Sequence, residues 1–195
     1  PEDSRWRAAI HEAGHAAVIT EIGFDMVLVA AIATQIERGK TSIAGGVRAM
    51  PITTYDCTHE TYLADIAVLL GGIAAEEFFL GCRSDGAGGG PGTDLYLATI
   101  KAVLMEASVG LGGRLTYLSS RSDADLLASL RTNGDLRMRV EAILAKQLDV
   151  ARRIIGSQHE AVEYLAEQLM ERPLSGDEVR EILLRQPRLR LIAET

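Results

Sequence analysis

The chain has 195 residues, 47% of them hydrophobic and 24% charged, with a formal net charge of −7. That length and balance allow one globular domain with a real core, while the negative charge speaks against nucleic acid or an anionic membrane as the main partner. The longest apolar run, residues 26–33, is too short to cross a bilayer, and Cys57 and Cys82, far apart and without a CxxC, are expected as free thiols of a reducing compartment.

The first helix is expected over residues 4–21, with Ser4 as its N-cap and Gly23 as its stop. It carries His11-Glu12-Ala13-Gly14-His15, an H-E-x-x-H sequence. At 100° per residue, His11 and His15 lie about 40° apart, one turn above the other, so both imidazoles can reach one metal ion. Glu12 sits about 100° from His11 and about 60° from His15, bordering that side. This suits a carboxylate that takes a proton from a water activated by the metal. The helix is apolar nearly all round, from Ala8 to Ile19, so it is read as buried, where unpaired His and Glu would be costly. Zinc needs a third protein ligand. The metzincin continuation fails, because Val18 and Glu21 stand where Gly and His would be needed.

Residues 24–34 read as a strand, 35–40 as a turn, and 41–50 as a second strand ended by Pro51. A bulge or close backbone approach is expected at Gly45-Gly46. A long apolar helix follows over residues 62–80, opened by Thr58 or Thr61 and closed by Gly81. Its Leu69-Leu70-Gly71-Gly72-Ile73-Ala74-Ala75 stretch is small enough for close packing and is interrupted by Glu76 and Glu77. The Gly-rich residues 86–92 lead through Thr93-Asp94 into a helix over 95–108. They follow a helix rather than a strand and lack the Gly-Lys-Ser/Thr ending, so nucleotide binding is discounted. Gly110, Gly112 and Gly113 make a further break, and 115–121 is a short strand or loop. From Asp123 onward the chain is expected to be helical. Helices are predicted over 135–155 and 159–171, with a last one capped by Ser175 and Glu178 and ending near Arg185, before Pro187.

The candidates for a third ligand are His59, Glu76, Glu77 and Asp94. His59 sits in a polar loop and is read as solvated. Asp94, behind the Gly-rich loop, and the Glu76/Glu77 pair remain equally good on the residues alone.

Three blocks carry a resemblance: His11-Glu12-Ala13-Gly14-His15-Ala16, then residues 69–77, then Gly92-Thr93-Asp94-Leu95 with Ala98-Thr99. Their order and spacing resemble the peptidase domain of the FtsH family of AAA+ zinc proteases, over essentially the whole chain. The resemblance implies a mainly α, multihelical fold with an HExxH helix and a small β-hairpin or sheet. It is expected as a single domain, 1–195, with a zinc-binding core in 1–120 and a helical part in 121–195. It implies one zinc per chain, with Asp94 joining His11 and His15 as ligand and Glu12 as general base. Glu76 and Glu77 are candidates to support a ligand from behind, and Ile43, Ala44, Gly45, Gly46 and Val47 a candidate edge strand for an extended substrate. The loop before Asp94 is longer and richer in Gly than the family pattern, Thr93 stands where Asn is usual, and no Walker A sequence occurs. The expectation is therefore an unfolded protein or peptide substrate, an AAA+ module upstream of Pro1 in a longer protein, and a homo-oligomer, a hexamer in the family. The expected location is cytoplasmic, with membrane association through segments outside this chain. A stand-alone zinc peptidase and a zinc-stabilised, non-catalytic interaction domain are the alternatives; the intact Glu12 weighs against the second.

Overall fold

The computed structural model describes residues 2–23, 25–33, 45–51 and 57–193, with backbone alone for residues 51 and 185–193. In chain order these form α1 (Glu2–Ile22), β1 (Asp25–Ile32), β2 (Gly45–Pro51), α2 (His59–Leu69), α3 (Gly71–Leu80), a 3-10 turn (Asp85–Ala87), α4 (Asp94–Ala107), α5 (Asp123–Thr132), α6 (Gly134–Ser157), α7 (His159–Glu171), β3 (Leu174–Ser175) and α8 (Gly176–Ala193). The architecture is mainly α with one small antiparallel sheet of order β2-β1-β3. No helix among the described residues is long and apolar enough to cross a membrane. The chain divides into two compact units, one of residues 1–54, 71–84 and 152–195, the other of 55–70 and 85–151.

The first unit is built around α1. Ala8, Ala9, Ile10, Ala13, Ala16, Ala17, Val18 and Ile19 are all buried, and the helix packs on α3, α7, β1 and β2. Gly23 ends it at φ 75°, donating its N–H to the Ile19 carbonyl. Ser4 lies inside the helix rather than capping it, since the first turn begins at Glu2. The crossing with α3 is made backbone to backbone: a Cβ on Gly14 would stand 2.5 Å from the Gly71 carbonyl oxygen, and one on Gly71 2.9 Å from that of Gly14. Strands β1 and β2 pair from Asp25↔Pro51 to Ile32↔Gly45. The register shift falls on β1 between Val27 and Val29, not at Gly45-Gly46. The expected turn over 35–40, together with Ile43 and Ala44, lies outside the described residues. Ser175 and Glu178 form the expected capping box: the Ser175 amide donates to Glu178 Oε2 at 2.9 Å and the Glu178 amide to Ser175 Oγ at 3.4 Å. Helix α8 continues past Pro187 to Ala193 instead of ending near Arg185.

In the second unit α2 packs on α4 and α4 on α5. Thr58 caps α2 in a reciprocal box with Thr61, so both threonines that compete in the sequence take part. The single helix expected over 62–80 is two helices. Leu70, at φ −89° and ψ −3°, closes α2 by donating to the Ile66 carbonyl, and α3 starts afresh at Gly71. Residues 115–121 form no strand. They are tied down by main-chain N–H groups of Leu118 and Ser119 on the Ala107 carbonyl and by the Ser108 hydroxyl on the Ser119 carbonyl.

Candidate metal centre

Helix α1 places His11 and His15 one turn apart, and the structure brings their rings together edge to face, with centroids 4.7 Å apart and planes at 75°. The two Nε2 atoms face each other at 3.0 Å. Two imidazole nitrogens on one tetrahedral zinc, at 2.0–2.1 Å each, would lie about 3.3 Å apart. The pair therefore fits a shared metal ion with almost no adjustment. Glu12 is buried on the same helix. The head of β2 lies against it: a Cβ on Gly45 would be 2.7 Å from Glu12 Cγ and 2.8 Å from Oε1. The close backbone approach expected at this glycine pair is thus to the carboxylate of the motif.

The opposite side of His11 is held by α3. Glu76, only 2% exposed, takes the His11 Nδ1 against its Oε1 at 2.8 Å. Gly72, one turn earlier, leaves room for the ring, because any Cβ there would run into His11 Cε1 and Nε2. Glu76 also accepts from Arg7 Nη1 at 2.7 Å, the Ser84 amide at 2.8 Å and the Ser84 hydroxyl at 3.2 Å. Burial pushes the Glu76 carboxyl up, but hydrogen bonds from His11, Arg7 and Ser84 outweigh it and hold the group at about 2. An ionised carboxylate only accepts, so Nδ1 of His11 faces it as the donor; in the neutral ring this leaves the lone pair on Nε2. This is the arrangement by which a carboxylate orients a ligating histidine.

Other candidate residues are placed differently. The carboxylate of Glu77 pairs with Arg83 at 3.3 Å and Arg152 at 2.8 Å. His59 opens α2 with its side chain 48% exposed. Asp94 is the first helical residue of α4 in the second unit, half-buried, with Thr93 in the capping position. The Thr93 hydroxyl donates to the Gly90 carbonyl instead of capping the helix. Gly46 is exposed and Gly45 and Val47 half-buried along β2. Cys57 and Cys82 are free and exposed. Arg7 is the contributor that the sequence reading passes over. Its signal is spacing: Arg7, His11 and His15 recur at every fourth position, on one face of α1.

A paired-histidine helix with a buried motif glutamate and a carboxylate behind the first imidazole defines a metallopeptidase type of centre. Comparison with known proteins agrees. The pattern of peptidase family M41 matches residues 1–182. The chain is 35% identical to ATP-dependent zinc metalloprotease FtsH 2 of Symbiobacterium thermophilum over 194 residues, covering 94% of this chain and 30% of that protein. It is 30% identical to ATP-dependent zinc metalloprotease FtsH 2 of Methylacidiphilum infernorum, covering 93% of this chain and 29% of that protein. To ATP-dependent zinc metalloprotease FtsH of Opitutus terrae it is also 30% identical, over 92% of this chain and 28% of that protein. The chain belongs to peptidase family M41, as a metalloendopeptidase domain of the FtsH kind. It spans less than a third of the length of these curated relatives.

Proposed function

We propose that the chain hydrolyses peptide bonds of unfolded protein segments, using one zinc ion held by His11, His15 and Asp94, as the peptidase part of a larger ATP-dependent protease. The observation that carries the reading is the facing Nε2 pair at 3.0 Å with buried Glu12 on the same helix. With Asp94 the donor set is two imidazole nitrogens and a carboxylate oxygen, the ligand chemistry that zinc takes in catalytic sites. Zinc so bound supplies Lewis acidity toward the attacking water and the scissile carbonyl. The Glu12 carboxylate takes the proton of the attacking water and passes it to the leaving amine. Glu76 keeps the first imidazole in the tautomer that can ligate. Strand β2 pairs with β1 and, among the described residues, with no other strand, which suits addition of an extended substrate along Gly45, Gly46 and Val47.

The wider setting proposed is an AAA+ ATPase module in the full-length protein that delivers unfolded protein, with assembly as a homo-oligomeric ring of six; the relatives' printed words, ATP-dependent zinc metalloprotease, support the ATP dependence. The proposed location is cytoplasmic, with membrane attachment through segments outside this chain.

Glu12→Gln tests the reading. Gln keeps the shape but cannot take the proton, so zinc content should stay at one per chain while casein or fluorogenic-peptide turnover falls about 10²–10⁴-fold. In the same assay Asp94→Ala should lose zinc. Full zinc with unchanged turnover in Glu12→Gln would remove Glu12 as the base, and full zinc in Asp94→Ala would remove it as a ligand. A zinc-loaded wild type inert on every peptide, even joined to its ATPase module, would favour an interaction domain.

A further inference from the structure

We propose that Arg7 is a positioning residue for the metal centre, acting on His11 through Glu76; the inference rests on the zinc-site reading above. The two oxygens of Glu76 divide their partners. Oε2 receives Arg7 Nη1 at 2.7 Å and the Ser84 amide at 2.8 Å. Oε1 is left to His11 Nδ1 at 2.8 Å and the Ser84 hydroxyl at 3.2 Å. The last torsion of a glutamate is soft and roughly two-fold, so the carboxylate by itself has no strong reason to present one edge to the imidazole. Arg7 supplies that reason. Its guanidinium is itself anchored on Cys82: the same Nη1 also donates to the Cys82 carbonyl at 3.2 Å, and Nη2 to the Cys82 Sγ at 3.7 Å.

The arginine also stands where it can act on the ligand face. It lies one turn before His11 on α1, as His11 lies one turn before His15. The planar fork of an arginine fixes direction as well as charge, which the point charge of a lysine does only in part. With Arg7 in place, the His11 ring is held with its proton on Nδ1 and its Nε2 lone pair toward His15. Without it, Glu76 Oε2 keeps only the Ser84 amide, the carboxylate plane is held less firmly, and the His11 ring loses part of its preference for one tautomer and one angle. A merely structural Arg7, tethering residues 82–84 to α1, would change melting temperature but neither of those.

The experiment uses this chain and two readouts that do not depend on turnover: the zinc dissociation constant by chelator competition, and the His11 ring tautomer in the zinc-free chain by ¹⁵N NMR. Arg7→Gln should weaken zinc binding about tenfold and give His11 mixed tautomers. Arg7→Lys should recover only part of both. In a Glu76→Ala background, Arg7→Gln should add little, because its route is already gone. A folded Arg7→Gln chain with zinc affinity within about twofold of wild type and an unchanged His11 tautomer would overturn the proposal. If Arg7→Gln does not fold, Arg7→Lys decides: zinc binding weakened severalfold with mixed His11 tautomers supports the proposal, and wild-type values of both overturn it. A wild type that binds no zinc yet shows Nδ1 protonation, lost in Arg7→Gln, would refute the zinc-site reading while leaving the action of Arg7 on His11 supported.

Discussion

Each unit buries one glutamate against an arginine, and the two are put to different ends. In the first unit Glu76, on α3, gathers Arg7, the Ser84 amide and hydroxyl, and His11. In the second, Glu106 near the end of α4 is 5% exposed and gathers Arg139 of α6 at 2.8 Å and the Gly113 amide at 3.2 Å. Glycines make the room in both: Gly72 lies against the His11 ring that Glu76 holds, and Gly112 against the Glu106 carboxyl itself. The construction is the same, a desolvated carboxylate satisfied by a guanidinium and a main-chain N–H. The difference is the last partner. Glu106 closes a loop onto two helices, whereas Glu76 gives an oxygen to the imidazole of His11, a proposed zinc ligand. A buried ion pair is thus not by itself a sign of a functional centre; the group that the carboxylate orients is what tells the two apart.

Breaking the structural member of the pair should have the larger effect on stability. Glu106→Ala leaves Arg139 and the Gly113 amide without their buried acceptor, and should cost about 3 kcal/mol in a denaturant melt, with zinc content per folded chain unchanged. A loss of zinc in proportion to the loss of stability would erase the distinction. Glu76→Ala should instead weaken zinc binding about 10–100-fold by chelator competition, and lower the stability of the zinc-free chain by less than Glu106→Ala does. Equal melts and equal zinc affinities for the two variants would mean that both glutamates are structural.

A third, surface carboxylate sets the scale at the small end. Hydrogen bonds from Arg172 first, then from the Ser175 amide and hydroxyl, hold Glu178 at about 2, below its ordinary 4.5. A carboxyl with a depressed folded value stabilises the fold above its unfolded value, and that contribution fades as pH falls from about 4.5 to about 2. The stability gap between wild type and Glu178→Gln should therefore be small at pH 6 and close by about pH 2. A gap that widens on acidification would contradict the capping role at α8.

Much of this was legible in the residues, for local reasons. The HExxH helix, its stop at Gly23, the hairpin strands and the Ser175–Glu178 cap each rest on neighbours within a few positions. What the sequence reading missed depends on partners far along the chain. The break at Leu70 lies in an uninterrupted apolar run with no proline, and the contact of Gly71 with Gly14, 57 positions earlier, is invisible to periodicity. Arg139 stands 33 residues from Glu106, and β3 is two residues long. Glu76 and Glu77 are adjacent and alike on paper. Only the helical turn separates them, one toward His11 and the other toward Arg83 and Arg152.

The crossing of Gly14 on Gly71 fixes how much slack the centre has. Side chains between two helices can change rotamer and absorb a displacement; a carbonyl oxygen lodged where a Cβ would be has no such play. The span from the imidazole on α1 to the carboxylate on α3 is accordingly a main-chain dimension, set before any side chain chooses its conformation. In a substitution library, positions 14 and 71 should behave as a rigid gauge that rejects even alanine. The exposed Leu28 and Met50 in the same unit should accept change freely.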